Sequence, residues 1–283
     1  MKKTIKMLPY HLMAGFFNTK MLVALILIAT ILYVDLTPII NASDSLNLNI
    51  NFSAISIVLS DNSACSIIFI AALFIFSNLP VKYPQQYYAL HRSGKRAWLF
   101  SQCLYVIITS LFLVMFIAAF YFLLCSGHMF FDNRWGKLIT SISEGQINTY
   151  FKIGISLRPN ILAEFTPIGA FIWTLSGTVV MMVIFGFSAV VLNLVINEFA
   201  GTILDGLMIF MNMLCWLFSS FFKYYFSPLS WCSVSVIDTT GRGATPGIPF
   251  AIIMWSMIII ILLLIAFLAS GRDKEIVKNL ERV

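Results

Sequence analysis

Charge is what this sequence has least of. Only 11% of its 283 residues are Asp, Glu, Lys or Arg, while 60% are hydrophobic. A soluble domain carries roughly 25% charged residues, and so few cannot cover a water-soluble particle of this length. Chemical signatures are missing as well. No GxxxxGK[ST] loop occurs, because Ser93-Gly94-Lys95 lacks both the upstream glycine and a hydroxyl after the lysine, which excludes ATP binding by that route. No HExxH or GxSxG is present, so the common zinc and serine hydrolase patterns are absent. The histidines, His11, His91 and His128, fall in three separate segments without metal-ligand spacing. The cysteines, Cys65, Cys103, Cys125, Cys215 and Cys232, form no CxxC pair and read as small buried hydrophobes, a Cys125–Cys232 bridge being the alternative. There is no internal repeat and no low-complexity tract.

What the chain does contain is apolar runs of spanning length. A hydrocarbon core of about 30 Å takes roughly 20 apolar residues as a helix, and helices are required because lipid offers no partner to an open backbone. Spans are expected near 21–40, 64–81, 98–125, 167–196, 203–222 and 248–270. The fold class is therefore all-α: a polytopic membrane protein with about six transmembrane helices, in a single transmembrane domain over 1–283. Lys2, Lys3 and Lys6 before the run Met21–Val34 imitate a signal peptide, but the basic region is too long and no A-x-A site follows, so the run reads as a retained first span.

Basic residues orient the spans. Lys2, Lys3, Lys6 and Lys20, then Lys82, Arg92, Lys95 and Arg96, then Arg272, Lys274, Lys278 and Arg282 fall on one side of a six-span plan. The other side carries Arg134, Lys137, Lys152, Arg158, Lys223 and Arg242, with no basic residue in 41–63. The positive-inside rule makes both termini cytoplasmic. The net charge of +6 is thus explained by topology, not by nucleic acid. Residues 1–20 read as an amphipathic interfacial helix, with Ile5, Leu8, Leu12 and Phe16 on one stripe and Lys2, Lys3, Lys6 and His11 off it. The long outer loop 126–166 is expected to fold over the mouth. Phe221, Phe222, Tyr224, Tyr225, Phe226 and Trp231 suit an interfacial aromatic belt, and Pro228 in the outer segment 223–247 points to a re-entrant stretch. Asn41-Ala42-Ser43 and Asn51-Phe52-Ser53 match the glycosylation triplet.

Span interiors carry almost no charge. Asp35 lies near an outer end, and Glu198 and Asp205 flank the inner turn between the fourth and fifth spans. An ion-driven carrier is expected to hold a central carboxylate. Asn193 and Asn212 are the main polar residues deep in spans, and helix–helix hydrogen bonds account for both more simply than substrate contact. No cluster of polar residues at one depth supports an embedded enzyme.

The stretch Tyr87-Tyr88-Ala89-Leu90-His91-Arg92-Ser93-Gly94-Lys95-Arg96-Ala97-Trp98 leads into the third span. It resembles the loop of membrane subunits of bacterial type-2 ABC exporters, in which an Arg–small–Gly–basic cluster precedes that span. The six-span plan and amphipathic N-terminus resemble that family over nearly the whole chain, and no fused ATPase domain fits in it. The resemblance implies a permease subunit in a bacterial cell (plasma) membrane, not itself an enzyme, with ATP and Mg bound by a separate cytosolic ATPase. Tyr87, Tyr88, Leu90, His91, Arg92, Ser93, Gly94, Lys95 and Arg96 would form the ATPase-coupling loop, with Asn197, Glu198 and Phe199 as a second inner contact. Aromatic and Arg residues favour an interface; the same residues would equally fix topology and sit among headgroups. Implied partners are the ATPase, a second copy or a related permease, and membrane lipid. The cargo would be an amphipathic peptide, antibiotic or other lipophilic molecule, given 26 Phe and 13 Met. A transporter or channel that works without ATP is the alternative.

Overall fold

The structure, a computed structural model, describes residues 2–81, 94–145, 147–155, 161–217, 221–239 and 243–269. Helix α1 (Lys2–Phe16) is followed after Asn18 by α2 (Thr19–Leu46). Strand β1 (Ile50–Asn51), α3 (Ala54–Val58) and α4 (Asn62–Phe76) come next, then α5 (Lys95–Cys125) and strand β2 (Met129–Phe130). The loop 126–166 also holds the short helices α6 (Gly136–Ser143), α7 (Asn148–Phe151) and α8 (Ile161–Glu164). The chain closes with α9 (Pro167–Val195), α10 (Ala200–Leu217), two 3-10 turns (Phe221–Phe226 and Pro228–Cys232) and α11 (Ile248–Ala269).

Among the described residues, α2, α5, α9, α10 and α11 are long and apolar enough to cross a membrane. Their starts are legible locally. The side chain of Asn18 accepts from the Lys20 amide, and that of Thr166 from the Gly169 amide with Pro167 behind it; both are N-cap arrangements that satisfy orphan donors. The stretch expected as a helix over 64–81 departs from expectation. Helix α4 has 15 residues, about 22 Å at 1.5 Å per residue, and 77–81 leaves the helix. Pro80 is the physical reason: proline lacks the amide to continue a helix and drives the preceding residue out of the α region. The span expected at 203–222 begins earlier, at Ala200, and is described as helix to Leu217, with 218–220 outside the described residues.

Helix α9 is the centre of the bundle. It packs on α10, α5, α11, α4, α3 and the second 3-10 turn. Its most apolar stretch is 78% buried, against 22% for α11 and 28% for α10. The outward faces of α10 and α11 carry Leu207, Phe210, Ile253, Ile260 and Leu264, which suits a lipid solvent rather than water. Helix α4 lies between α2 and α10, while α1 packs across α5.

At the end of the bundle away from α1, the long loop folds onto the first one. Strands β1 and β2 pair in parallel, Ile50 with Met129 and Asn51 with Phe130. Asn51 is fully buried there. Its Nδ2 donates to the carbonyls of Asp132 (2.9 Å) and Arg134 (2.6 Å), and its Oδ1 accepts from the Ser53 amide and hydroxyl. The Asn51 triplet is thereby corrected: the amide that a glycan would need is already committed to the fold. Asn51→Ala is expected to cost about 2 kcal/mol, by leaving buried carbonyls without a donor; thermal melting of the purified chain measures it.

Residues 227–238 turn back into the helix packing, and nearly all are buried. The amide of Val234 donates to Ser60 Oγ (3.0 Å) and the Ser233 hydroxyl donates to the Ser60 carbonyl (3.2 Å). Trp231 is 1% exposed and donates to the Tyr224 carbonyl, and Tyr224 is buried beside Trp216. These two aromatics therefore belong to the interior, not to an interfacial belt, while Phe226 is exposed. All five cysteines are free and buried, so the Cys125–Cys232 bridge is not formed.

Candidate functional site at the α1 end of the bundle

Four helices and one irregular segment converge where α1 meets α2. The segment 77–81, which contains a cis Leu79–Pro80 bond, is held by side chains from three different helices. Lys20 of α2 donates through Nζ to Ser77 Oγ (2.8 Å) and Asn78 Oδ1 (2.6 Å), and its charge lies 5.3 Å from the centre of the Phe74 ring. Asn193 of α9 donates to the Leu79 carbonyl at 2.8 Å. Gln102 of α5 makes a two-bond pair with Val81, accepting from its amide (3.1 Å) and donating to its carbonyl (3.0 Å). Unsatisfied backbone groups are costly away from water, and the bonds from Asn193 and Gln102 each close one.

The same residues extend the network. Asn193 Oδ1 accepts from the Gly201 amide at 2.8 Å, which fastens the α9–α10 turn to the same point. Gln102 Nε2 lies 3.4 Å from His11 Nδ1, which ties in α1. Here the expectation for α1 is corrected. Leu8, Leu12 and Phe16 do face the core, but Met7 and His11 are the buried positions, so His11 lies inside the packed face. Phe16 meets Phe112 of α5 edge-on, ring centres 4.9 Å apart.

Burial pushes the His11 imidazole down from 6.5 to about 4, because the cation would lose its hydration. An unfolded or undocked His11 binds a proton near pH 6.5 while the docked one does not until about pH 4. Docking of α1 is therefore fully stable above about pH 6.5 and weakens as pH falls towards 4. Proteolysis or hydrogen exchange of α1 across that window reads the effect, and His11→Leu is expected to abolish its pH dependence.

The expected coupling-loop residues Tyr87, Tyr88, Leu90, His91, Arg92 and Ser93 lie outside the described residues. Gly94, Lys95 and Arg96 open α5. Gly94 takes φ 87° and ψ 150° at the helix start, a conformation open in practice only to glycine, which gives the glycine of the Arg–Ser–Gly–Lys cluster a backbone reason. Arg96 is exposed and stacks over Phe267 of α11 at 5.1 Å. Trp98, by contrast, is 1% exposed and belongs to the core.

Asn197, Glu198 and Phe199 form the exposed α9–α10 turn, in which Asn197 Oδ1 accepts from the Phe199 amide (3.0 Å). Gly201 does not close this turn as a left-handed cap. It sits in the first turn of α10 and lets the two helices touch, since a Cβ there would stand 2.5 Å from both the Ser188 carbonyl and Ala189 Cα. Beside it, the buried Asp205 carboxyl accepts a short hydrogen bond from Ser188. Asn212, further along α10, bonds Asn62 at 3.0 Å. Both span asparagines thus serve helix contacts, as the sequence reading favoured.

A cavity of about 640 Å³ opens at this junction. Lys20, Asn18, Asn78, Asn193, Asn197, Glu198 and Tyr105 supply its polar lining, and Ile75, Leu194, Ile196 and Phe199 its apolar lining. Sequence reasoning missed the roles of Gln102 and Lys20. Gln102 stands alone in an apolar run, a signal of its own, and Lys20 was absorbed into the topology count.

A second feature lies on α2. Thr30, Tyr33 and Asn41 are exposed and Thr37 is half-exposed, and their spacing puts all four on one helix face. The Thr30 and Thr37 hydroxyls are satisfied by the carbonyls of Ile26 and Tyr33, which lowers their cost against lipid, but Tyr33 remains 57% exposed.

No group of His, Cys, Asp and Glu that could hold a metal ion occurs among the described residues. Comparison with protein-family models, curated proteins and solved structures gives no match. The fold defines a multi-pass helical membrane protein with a polar network at the α1 end.

Proposed function

We propose that this chain is the membrane subunit of an exporter powered by a separate cytosolic ATPase that docks on 82–97. The observation that carries the reading is the anchorage of that stretch. Its entry, 77–81, is bonded to α2, α5 and α9 through Lys20, Gln102 and Asn193. Its exit, Gly94–Arg96, opens the 31-residue helix α5 and is stacked on α11 through Arg96. A push delivered to 82–97 would act on flanks that are bonded to α2, α5, α9 and α11. The basic and aromatic sequence of the loop suits a protein interface, and the chain lacks the phosphate-binding loop needed to work alone on ATP.

In this reading the α1 end is cytoplasmic, α4 completes a sixth span, and two permeases pair. The polar face of α2, from Thr30 to Asn41, supports pairing or a path there, since such a stripe gains nothing from lipid. An amphipathic or lipophilic cargo draws on the exposed Met211 and Met213 of α10.

A second reading, transport driven by an ion gradient, draws on one observation: Asp205 is a buried carboxyl within α10, bonded to Ser188. Its position near the α9–α10 turn, away from mid-span, makes it the weaker reading. The deciding experiment reconstitutes the chain in liposomes with a cytosolic ATPase that co-purifies with it. Stimulated ATP turnover that Arg92→Glu removes supports the proposal. Transport by the chain alone under an ion gradient, without ATP, overturns it.

A further inference from the structure

We propose that the cavity at the α1 end binds the phosphate of an anionic phospholipid, with Lys20 as the cationic anchor. The proposal rests on the membrane location of the bundle and not on any ATPase.

The chemistry begins with an ammonium whose charge is not neutralised. An ammonium has three N–H donors. Those of Lys20 reach two neutral acceptors, Ser77 Oγ and Asn78 Oδ1. Lys20 makes no ion pair among the described residues, and Glu198, although it lines the same cavity, is not within salt-bridge distance of it. Beyond those two bonds the charge is met by the Phe74 ring at 5.3 Å and by no anion among the described residues, and a phosphate oxygen is the partner that would neutralise it. The first turn of α2, whose amides are already capped by Asn18, adds the partial positive charge of a helix start on the same side.

The surroundings select a lipid over a free anion. Ile196 and Phe199, both on the lining, are 62% and 65% exposed, and Met13 and Phe17, the neighbours of lining residues Ala14 and Asn18, are 65% and 89% exposed. A soluble phosphate has no use for this apolar rim. An acyl chain leaving the cavity would cover it, with the headgroup at Lys20 and the tail along the bundle. The cavity, at about 640 Å³, is large enough for a glycerophosphate headgroup.

The test uses the purified full chain in a neutral maltoside detergent, titrated with phosphatidylglycerol, phosphatidylcholine or sodium phosphate, with unfolding followed by tryptophan fluorescence. Phosphatidylglycerol is expected to raise the melting temperature at about tenfold lower concentration than phosphatidylcholine, as one charge-assisted phosphate contact allows, with sodium phosphate without effect. Lys20→Gln should erase the preference and Lys20→Arg keep it. Ala14→Trp should erase it by filling the cavity while leaving the Lys20 bonds in place, so the proposal stays testable if Lys20→Gln does not fold. Lys137→Gln, in the opposite loop, should change nothing. Equal stabilisation by both lipids, an undiminished preference in Ala14→Trp, or the same shift from sodium phosphate alone would overturn it.

Discussion

Replacing Gly201 by alanine should destabilise this protein by on the order of 3 kcal/mol, about the upper range for forcing a methyl group into a packed interior. The added Cβ would stand 2.5 Å from the Ser188 carbonyl and from Ala189 Cα, and 2.8 Å from the Ala189 amide. All three are backbone atoms of α9, so no side chain can swing aside. Helices α9 and α10 would have to separate, and α9 is also the helix on which α4, α5 and α11 pack. Separation also strains the Asn193–Gly201 and Ser188–Asp205 bonds. Gly206, on the same helix, is the control: its nearest foreign atom is Leu73 Cδ1 at 3.9 Å, an ordinary contact. Gly206→Ala should be neutral or stabilising by up to about 1 kcal/mol, from helix propensity alone. A melting temperature that falls for Gly201→Ala and holds for Gly206→Ala is the expected pattern. Equal tolerance at both sites would mean that α9 and α10 do not approach as described.

Asn193→Ala is the second large effect, and its consequence is local. One amide side chain serves two backbone groups at 2.8 Å each, the Leu79 carbonyl and the Gly201 amide. Alanine leaves both without that partner at a site where Asn193 is 5% exposed. Two polar contacts of this kind in a membrane protein are worth about 2 kcal/mol together. The loss should appear as faster hydrogen exchange at 77–81 and 197–201, with α11 unchanged. Asn193→Asp can still accept from Gly201 but cannot donate to Leu79, so exchange should rise at 77–81 and stay slow at Gly201. An even rise across the chain would point to global loosening and argue against a discrete junction.

The apolar runs made the long helices legible, because a membrane span is dictated by local composition over some 20 residues. Residues that work between elements were not. Gln102 acts on backbone groups and Lys20 on side chains of another segment, and nothing in their own neighbourhood announces the partner. His11 was assigned to the polar side of α1 because it is polar, yet an inward face can hold an imidazole when a side chain such as Gln102 meets it. Trp231 and Tyr224 were assigned to an interfacial belt by type, and tertiary folding of 227–238 drew both inside. Pro80 did carry the information that α4 stops early, but the surrounding hydrophobicity outweighed it in the reading. The glycine of Ser93-Gly94-Lys95 was read as part of a family-like cluster, and its positive φ supplies a conformational reason for that residue.

A cytosolic ATPase can dock on 82–97 only if that stretch faces the cytoplasm. The native cysteines are buried, so a single Ser93→Cys substitution gives one reactive thiol in that stretch. Cells expressing this variant should be treated with a membrane-impermeant maleimide before and after permeabilisation. Labelling only after permeabilisation is the predicted result, and it leaves the loop open to a cytosolic ATPase. Labelling in intact cells would put the loop outside, and no ATP-driven partner could reach it.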